Sequence, residues 1–514
     1  MRSRTFAITA FYLFAANAPS GKAQDLKLEA RGGTYPGTLQ LELGPGKTGK
    51  GCAILLGITP GPTPLSLIDP SDPRLLLVGH QLLGLSWGGV FLPPSLSFKT
   101  PVMKVPNKPG FKDATVFYHG IDFPGTKHLI GRLSNPAVTR FGAKGTFRDR
   151  GAKLTTTRAF ATVLPYGNGQ WMVSAGGQGN IMSQVPLKSS EIYDVVNDRW
   201  TKGPDLTTER TIHSVTELLD GRWMLAGGLD VQQAPQDTVE VWDPKTQKFS
   251  RIAPMIYKRG GHMATLLPNG KVWVTGGISK PPNAGNIVTV LLSTLYETEI
   301  YDPKTNTWTR GPDMNHPRIQ HTHMKLADGR ILVAGGAGWN FIGPIKIPAL
   351  LKECDIFDPK TGKITKGPAM ADPHGGYSSI RLDPHRWLIA GGGSSMTVTA
   401  PGAPTNKAEI YDSRTNQWTS AGAMSQARMF HQAFDLGNGK SLHVGGANGS
   451  LVGLNALQSC EIFDAKTGKW SRGPNLTTPR AGPAAFETPM GQIQFISGQG
   501  ARNLGSFSSE LFYR

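Results

Sequence analysis

The chain has 514 residues, 39% of them hydrophobic, and a formal net charge of +18. That length allows two domains, each with its own core, and such a charge suits nucleic acid only where Lys and Arg cluster. Here they recur once or twice per repeat in turns, with no basic run interleaved with aromatics, which excludes nucleic acid as an expected partner.

The first residues, MRSRT and then FAITAFYLFAANA, join a basic region to a short apolar one, with Gly21-Lys22-Ala23 offering small residues at a cleavage point before Gln24. Residues 1–23 read as a secretory signal, too short and wrongly flanked for a stable membrane span. No later stretch reaches about 18 uncharged apolar residues. The expected location is secreted or periplasmic, without a membrane span.

Residues 24–138 hold short apolar runs broken by Gly and Pro, among them TLQLEL, CAILLGI, VFLPPSLSF and TVFYHGI. This spacing predicts a small β-sandwich-like module. The wording LIDPSDPRLLLVG, then MKVPNKPGFKDATVFYHGIDF, resembles a β module of exported bacterial proteins. GPGKTGKG, Gly44 to Gly51, has the spacing of a phosphate-binding loop but lacks the following Ser or Thr, and CAILLGI reads as a strand where that loop needs a helix.

From residue 139 a unit of about 50 residues repeats, the period of a propeller or solenoid. In Arg259 to Trp308, HMATLL and KVWVTGG are joined by Asn269-Gly270, a pair favoured in type I′ hairpin turns. The same turn recurs at Asn168-Gly169, Asp220-Gly221, Asp328-Gly329 and Asn438-Gly439, with looser versions at Asp383-Pro384 and Met490-Gly491. Glycine pairs close the second strands: Gly176-Gly177, Gly227-Gly228, Gly276-Gly277, Gly335-Gly336, Gly391-Gly392 and Gly445-Gly446, with Gly498 and Gly500 as a degenerate copy. A third strand of the form EIYD follows, and six residues after its Asp comes Trp200, Phe249, Trp308, Ile364, Trp418 or Trp470, opening a fourth.

The DG or NG turn, the glycine pair, the E-I-Y-D strand and the trailing Trp together resemble the kelch motif over about residues 139–514. The resemblance implies an all-β fold, a seven-bladed kelch-type β-propeller around a channel, of an exported bacterial type similar to the galactose-oxidase central-domain superfamily. The chain ends on ELFYR, a third strand with no fourth after it, while GTFRDRGAKLTTTR matches a fourth strand with no third before it. Residues 147–155 are therefore expected to complete the last blade and close the ring. The three cysteines cannot all pair within one molecule. Cys354 and Cys460 fall in a column of small residues before the third strand and read as structural.

Alternating strands put the glycine pairs and the starts of the innermost strands on one face. Those starts carry Arg210, Arg259, Arg318, His374 and Arg428, and three residues on His213, His262, His321, Tyr377 and His431. With His323 and Trp339 these are the candidate ligand-binding residues of a cationic, histidine-rich channel mouth. Guanidinium forks there would suit a carboxylate or other anion; repetition in nearly every blade suits architecture instead. Two glycine-pair loops are long and apolar, 278–298 with Leu291, Leu292, Leu295 and Tyr296, and 337–352 with Phe341, Ile345 and Ile347, and could form a partner patch.

The expected function is a binding or scaffold module for a glycan or protein partner through this face, without catalytic residues or cofactor. An alternative is a copper radical oxidase like galactose oxidase, the one reading that needs copper; such a site requires an adjacent Tyr-His pair in the propeller, and the only such pair, Tyr118-His119, lies upstream. Another is a sialic-acid-mutarotase-like isomerase, for which Arg210 with Glu209 would suit a carboxylated sugar, though those relatives have six blades.

Overall fold

Seven four-stranded antiparallel sheets follow one another among the described residues from 147 to 512. The second is representative: Ser214–Glu217, Trp223–Ala226, Val239–Asp243 and Lys248–Ile252, paired in that order. The computed structural model describes residues 132–514 apart from 168–169, 180–183, 196, 282–286, 397–400, 451–452, 489–491 and 501–504. Upstream it describes 27–32, 34–35, 37–44, 51–58, 63–64, 71–76, 87–91, 98–100, 103–105 and 114–123. The signal segment 1–23, the middle of GPGKTGKG, and the turns at Asn168-Gly169 and Met490-Gly491 lie outside the described residues. Among those described, the one helix is Ile287–Leu292.

Each element of the repeat has a physical role. The Asp ending the third strand caps the next turn, as where Asp243 Oδ1 accepts from Lys245 N at 2.8 Å and Asp302 Oδ1 from Lys304 N at 3.0 Å, an Asx turn. The trailing Trp ties neighbouring blades at their outer edge: the indole N–H of Trp308 donates to Ala253 O, and that of Trp470 to Ala421 O, both at 2.8 Å. The hairpin turns differ from expectation. Among the described turns only Asn438-Gly439 has positive φ at both residues, the type I′ requirement. At Asp220-Gly221 only the glycine is left-handed, and Gly221 N donates to Leu218 O while Leu218 N donates to Arg222 O. That is a type I turn closed by a glycine bulge, which leaves Asp220 free of the left-handed region.

The glycine pair also shifts at two blades. The positive-φ positions are Gly227-Gly228 in the second sheet but Ala175-Gly176 in the first and Ser497-Gly498 in the last. Strand pairing sets this register, since Ala226 faces Val239 and Ser174 faces Ser190. Both glycines of the pair are tight: a Cβ on Gly227 would lie 2.5 Å from Arg259 O and one on Gly228 2.6 Å from Thr211 O.

The ring closes through the two ends of the propeller. Phe147–Asp149 pairs antiparallel with Ser509–Phe512, and beyond it Arg150 N and Leu154 N donate to Ser509 O and Phe507 O. The regular strand is three residues long, shorter than 147–155, because the chain turns at Gly151, which has φ 74°. Phe147 packs on Phe512 and Phe495 with ring centroids 5.0 and 5.6 Å away. Phe147→Ala is expected to destabilise the protein by about 2 kcal/mol, below the range for a fully buried Phe because Phe147 is half-buried. An unchanged urea midpoint would show that this strand holds nothing together.

Among its described residues the upstream module has two four-stranded sheets, one built on Lys27–Gly32 and Gly37–Gly44, the other on Gly51–Gly57, Trp87–Phe91, Thr115–Phe123 and Leu133–Arg140. It runs past the expected boundary at 138, since Gly142-Ala143 still pairs with Thr34-Tyr35. Cys52, Ile54 and Leu56 face the module's own core, whereas Ala53 and Leu55 join Leu154, Val163, Val173 and Phe486 of the propeller. A strand covered on both faces explains why CAILLGI is apolar without alternation. All three cysteines are buried and free.

Candidate functional site

The arginine column is built into the blades. Arg210 Nη1 donates to Gly227 O at 2.7 Å, and Nη2 to Glu240 Oε1 at 2.8 Å, with both side chains fully buried. Arg259 with Glu299, Arg318 with Asp355, Arg428 with Glu461, Arg480 with Glu510 and Arg158 with Glu191 repeat the arrangement. The carboxylate's other oxygen accepts from the connection entering the blade, as Glu240 Oε2 does from Thr207 N at 2.8 Å. Blade five replaces Arg by His374, whose Nδ1 lies 2.7 Å from Gly391 O and whose Nε2 lies 3.4 Å from Glu409. Burial alone would raise the Glu409 carboxyl, but the His374 hydrogen bond and the amides of Ala371 and Asp372 outweigh it and hold it below the ordinary range.

The histidines three residues on hydrogen-bond between neighbouring innermost strands. Nε2 of His213 meets Thr162 Oγ1 at 2.8 Å, that of His262 meets Ser214 Oγ at 2.8 Å, and that of His431 meets Ser378 Oγ at 2.7 Å. His321 and His323 share Thr275 Oγ1 at 2.7 and 2.8 Å. Burial, reinforced by nearby arginines, pushes His213, His262, His321 and His431 well below their usual value, and takes His323 and His443 to about 3. They are neutral spacers between blades. Tyr377 takes the same place in blade five, donating to Ala334 O at 2.6 Å. No guanidinium of the candidate set points its fork into open space, so the geometry favours the architectural role for these residues. Trp339 stands apart, on the connection from 337.

Sequence reasoning missed the ring between the arginine and the histidine. Phe160, Ile212, Gly261, Gln320, Gly376, Phe430 and Gly482 all have positive φ. Their backbones chain blade to blade: Phe160 N donates to Gly482 O, Gly261 N to Ile212 O, Gly376 N to Gln320 O, Phe430 N to Gly376 O and Gly482 N to Phe430 O. Large residues stand beside glycines. A Cβ on Gly482 would lie 2.7 Å from the Phe160 ring, and Phe160 and Phe430 meet edge to face at 5.7 Å. With Ile212 and Met429 they plug this end of the channel. Positive φ at Phe and Ile is unusual enough that no local propensity announces it; the recurring position after the arginine is the only signal.

What the plugged face offers is its rim. Hairpin Ala337–Ile342/Ile345–Leu350 packs against helix Ile287–Leu292 on one side and hairpin Gly393–Met396/Pro401–Pro404 on the other. Trp339 at its base donates to Thr294 O, lies under the Lys346 ammonium at 3.9 Å, and meets Phe341 edge to face. At the tip Phe341, Ile342 and Ile345 are 59%, 65% and 63% exposed.

Four-stranded sheets closed end to start, with a buried Arg and carboxylate in nearly every one, define a β-propeller of repeated blades with a plugged axis. Residues 219–256 and 259–315 match the Kelch motif, so this part of the propeller is built of kelch repeats. It is similar to Kelch-like protein 36 of Mus musculus, 24% identical over 297 residues covering 57% of this chain and 44% of that one, and to Beta-scruin of Limulus polyphemus, 26% identical over 240 residues covering 45% and 24%. The chain thus spans less than half the length of these curated relatives. Among solved structures it is similar to a fungal alcohol oxidase of the AA5 family in complex with copper, with a TM-score of 0.55 and 19% identity, covering 72% of this chain and 76% of that one. At that identity the likeness concerns the fold. The residues here do not fit copper: Tyr377 is bound to a carbonyl, His374 lies between Gly391 O and Glu409, and Tyr118-His119 is buried in the upstream module. No group of three or more His, Cys, Asp or Glu placed for a metal occurs among the described residues.

Proposed function

We propose that this protein is a non-catalytic binding module that docks a protein partner on the face carrying the connections between second and third strands. The carrying observation is where exposed apolar side chains lie. Of eleven large ones among the described residues, eight are on these connections: Val185, Val231, Val288, Tyr296, Phe341, Ile342, Ile345 and Phe507. Clustering on one side of an otherwise polar surface marks an interaction site. Kelch domains generally bind proteins, and apolar tips suit a protein better than a glycan, whose hydroxyls would ask for the buried arginines and histidines. The first 23 residues favour export, to the periplasm or beyond.

The test is a photo-crosslinking residue at Ile345 and, separately, at Asn269 in an opposite-face turn, in the exported fraction of the native host. A discrete adduct from position 345 alone is expected. Equal adducts from both positions, or none, would remove the docking reading, and recovery of the protein only from the cytosol would remove export.

A further inference from the structure

The tip of the 337–350 hairpin is apolar on both sides of its ribbon. Cross-strand pairs place Ile342, Ile345 and Ile347 on one side and Trp339, Phe341 and Lys346 on the other. A tip exposed and apolar on both sides can also be surrounded by a bilayer interface. The connections around it also lack acidic residues. Stretches 278–296, 337–352, 393–406 and 447–459, the connections of blades three to six, contain no Asp or Glu and carry Lys280, Lys346 and Lys352. Acids appear only where the chain re-enters the blades, at Glu297 and Glu353.

We propose that this hairpin is a membrane-contacting finger, its Phe341–Ile345 tip entering the interface of an anionic lipid bilayer while Lys346 meets the headgroups. The Lys346 ammonium lies over the Trp339 ring, 3.9 Å from its centre, a pairing of basic and aromatic side chains common where an apolar interior meets a polar boundary. Three lysines on acid-free connections add attraction to negative lipid, and the apolar tip sets which face meets it. Insertion of a short apolar tip plus surface charge gives reversible binding rather than a span. This goes beyond partner docking and does not depend on it.

The experiment is co-sedimentation of the full chain with vesicles of phosphatidylcholine alone and of an equimolar mixture with phosphatidylglycerol. Because the native cysteines are buried, Ile342→Cys can carry a polarity-sensitive dye. Sedimentation with the mixed vesicles only is expected, with a blue shift of the dye. Partition should fall about tenfold or more in Phe341→Ser/Ile342→Ser/Ile345→Ser and severalfold in Lys346→Glu. The three tip side chains are exposed, so folding should survive, and an unchanged melting curve checks it. The proposal is overturned if the protein ignores mixed vesicles, binds neutral ones equally, keeps its partition in the triple variant, or shows no dye shift. None of these failures touches the crosslinking test above.

Discussion

Lowering the pH from 7 towards 4.5 should destabilise this protein steeply, because six histidines are buried in neutral form between its blades. His213, His262, His321, His323, His431 and His443 all titrate below their usual value inside the fold, while in the unfolded chain they take up protons near pH 6.5. The folded state therefore binds fewer protons below that pH. Stability is full above about 6.5 and falls as pH drops, each histidine adding a slope approaching about 1.4 kcal/mol per pH unit until its folded value is reached. Glu217, pushed up to about 7 by burial, and Glu299, also raised by burial, act in the opposite sense. They protonate in the fold first and gain stability on acidification, but two groups oppose six. Denaturant midpoints at several pH values measure the sum. A flat profile between pH 7 and 5 would mean that these histidines are solvated and charged, contrary to their burial.

Arg210→Ala should cost about 3–5 kcal/mol, the penalty of leaving Glu240 buried without its counter-charge. The loss should shrink when Glu240→Gln is added to Arg210→Met, since no ion is then stranded; a double variant is needed because the two side chains share one network. This separates architecture from binding. A ligand-binding arginine at an open mouth would be replaced with little change in melting and a loss of affinity; a blade arginine would do the reverse. Chemical denaturation of the single and double variants distinguishes them, and a single variant as stable as the parent would return the column to the ligand-binding reading.

Much of the fold was legible in the residues because the repeat states each interaction in most of its blades. The Arg before the innermost strand, the Glu in the third and the Trp in the fourth recur at fixed spacing because each satisfies a partner at fixed distance, and the unpaired ELFYR pointed to Phe147 as its neighbour. The site was less legible. Arg210, His213 and their equivalents are polar residues at the start of a strand, and a sequence does not distinguish a guanidinium facing a channel from one facing its own blade's carboxylate.

What the sequence determined alone is the local and periodic part of the structure: strand alternation, the repeat and the apolar tip at Phe341. These depend on neighbours in the chain. What only the tertiary structure decided is which groups face one another across blades. The left-handed ring of Phe160, Ile212 and Phe430 exists because seven blade edges crowd one axis, and the register of Ala175-Gly176 follows from pairing with Ser190 rather than from the nearest two glycines. Burial of the arginine column follows from the same packing. Contacts between residues far apart in the chain fix these features, and no run of adjacent residues carries them.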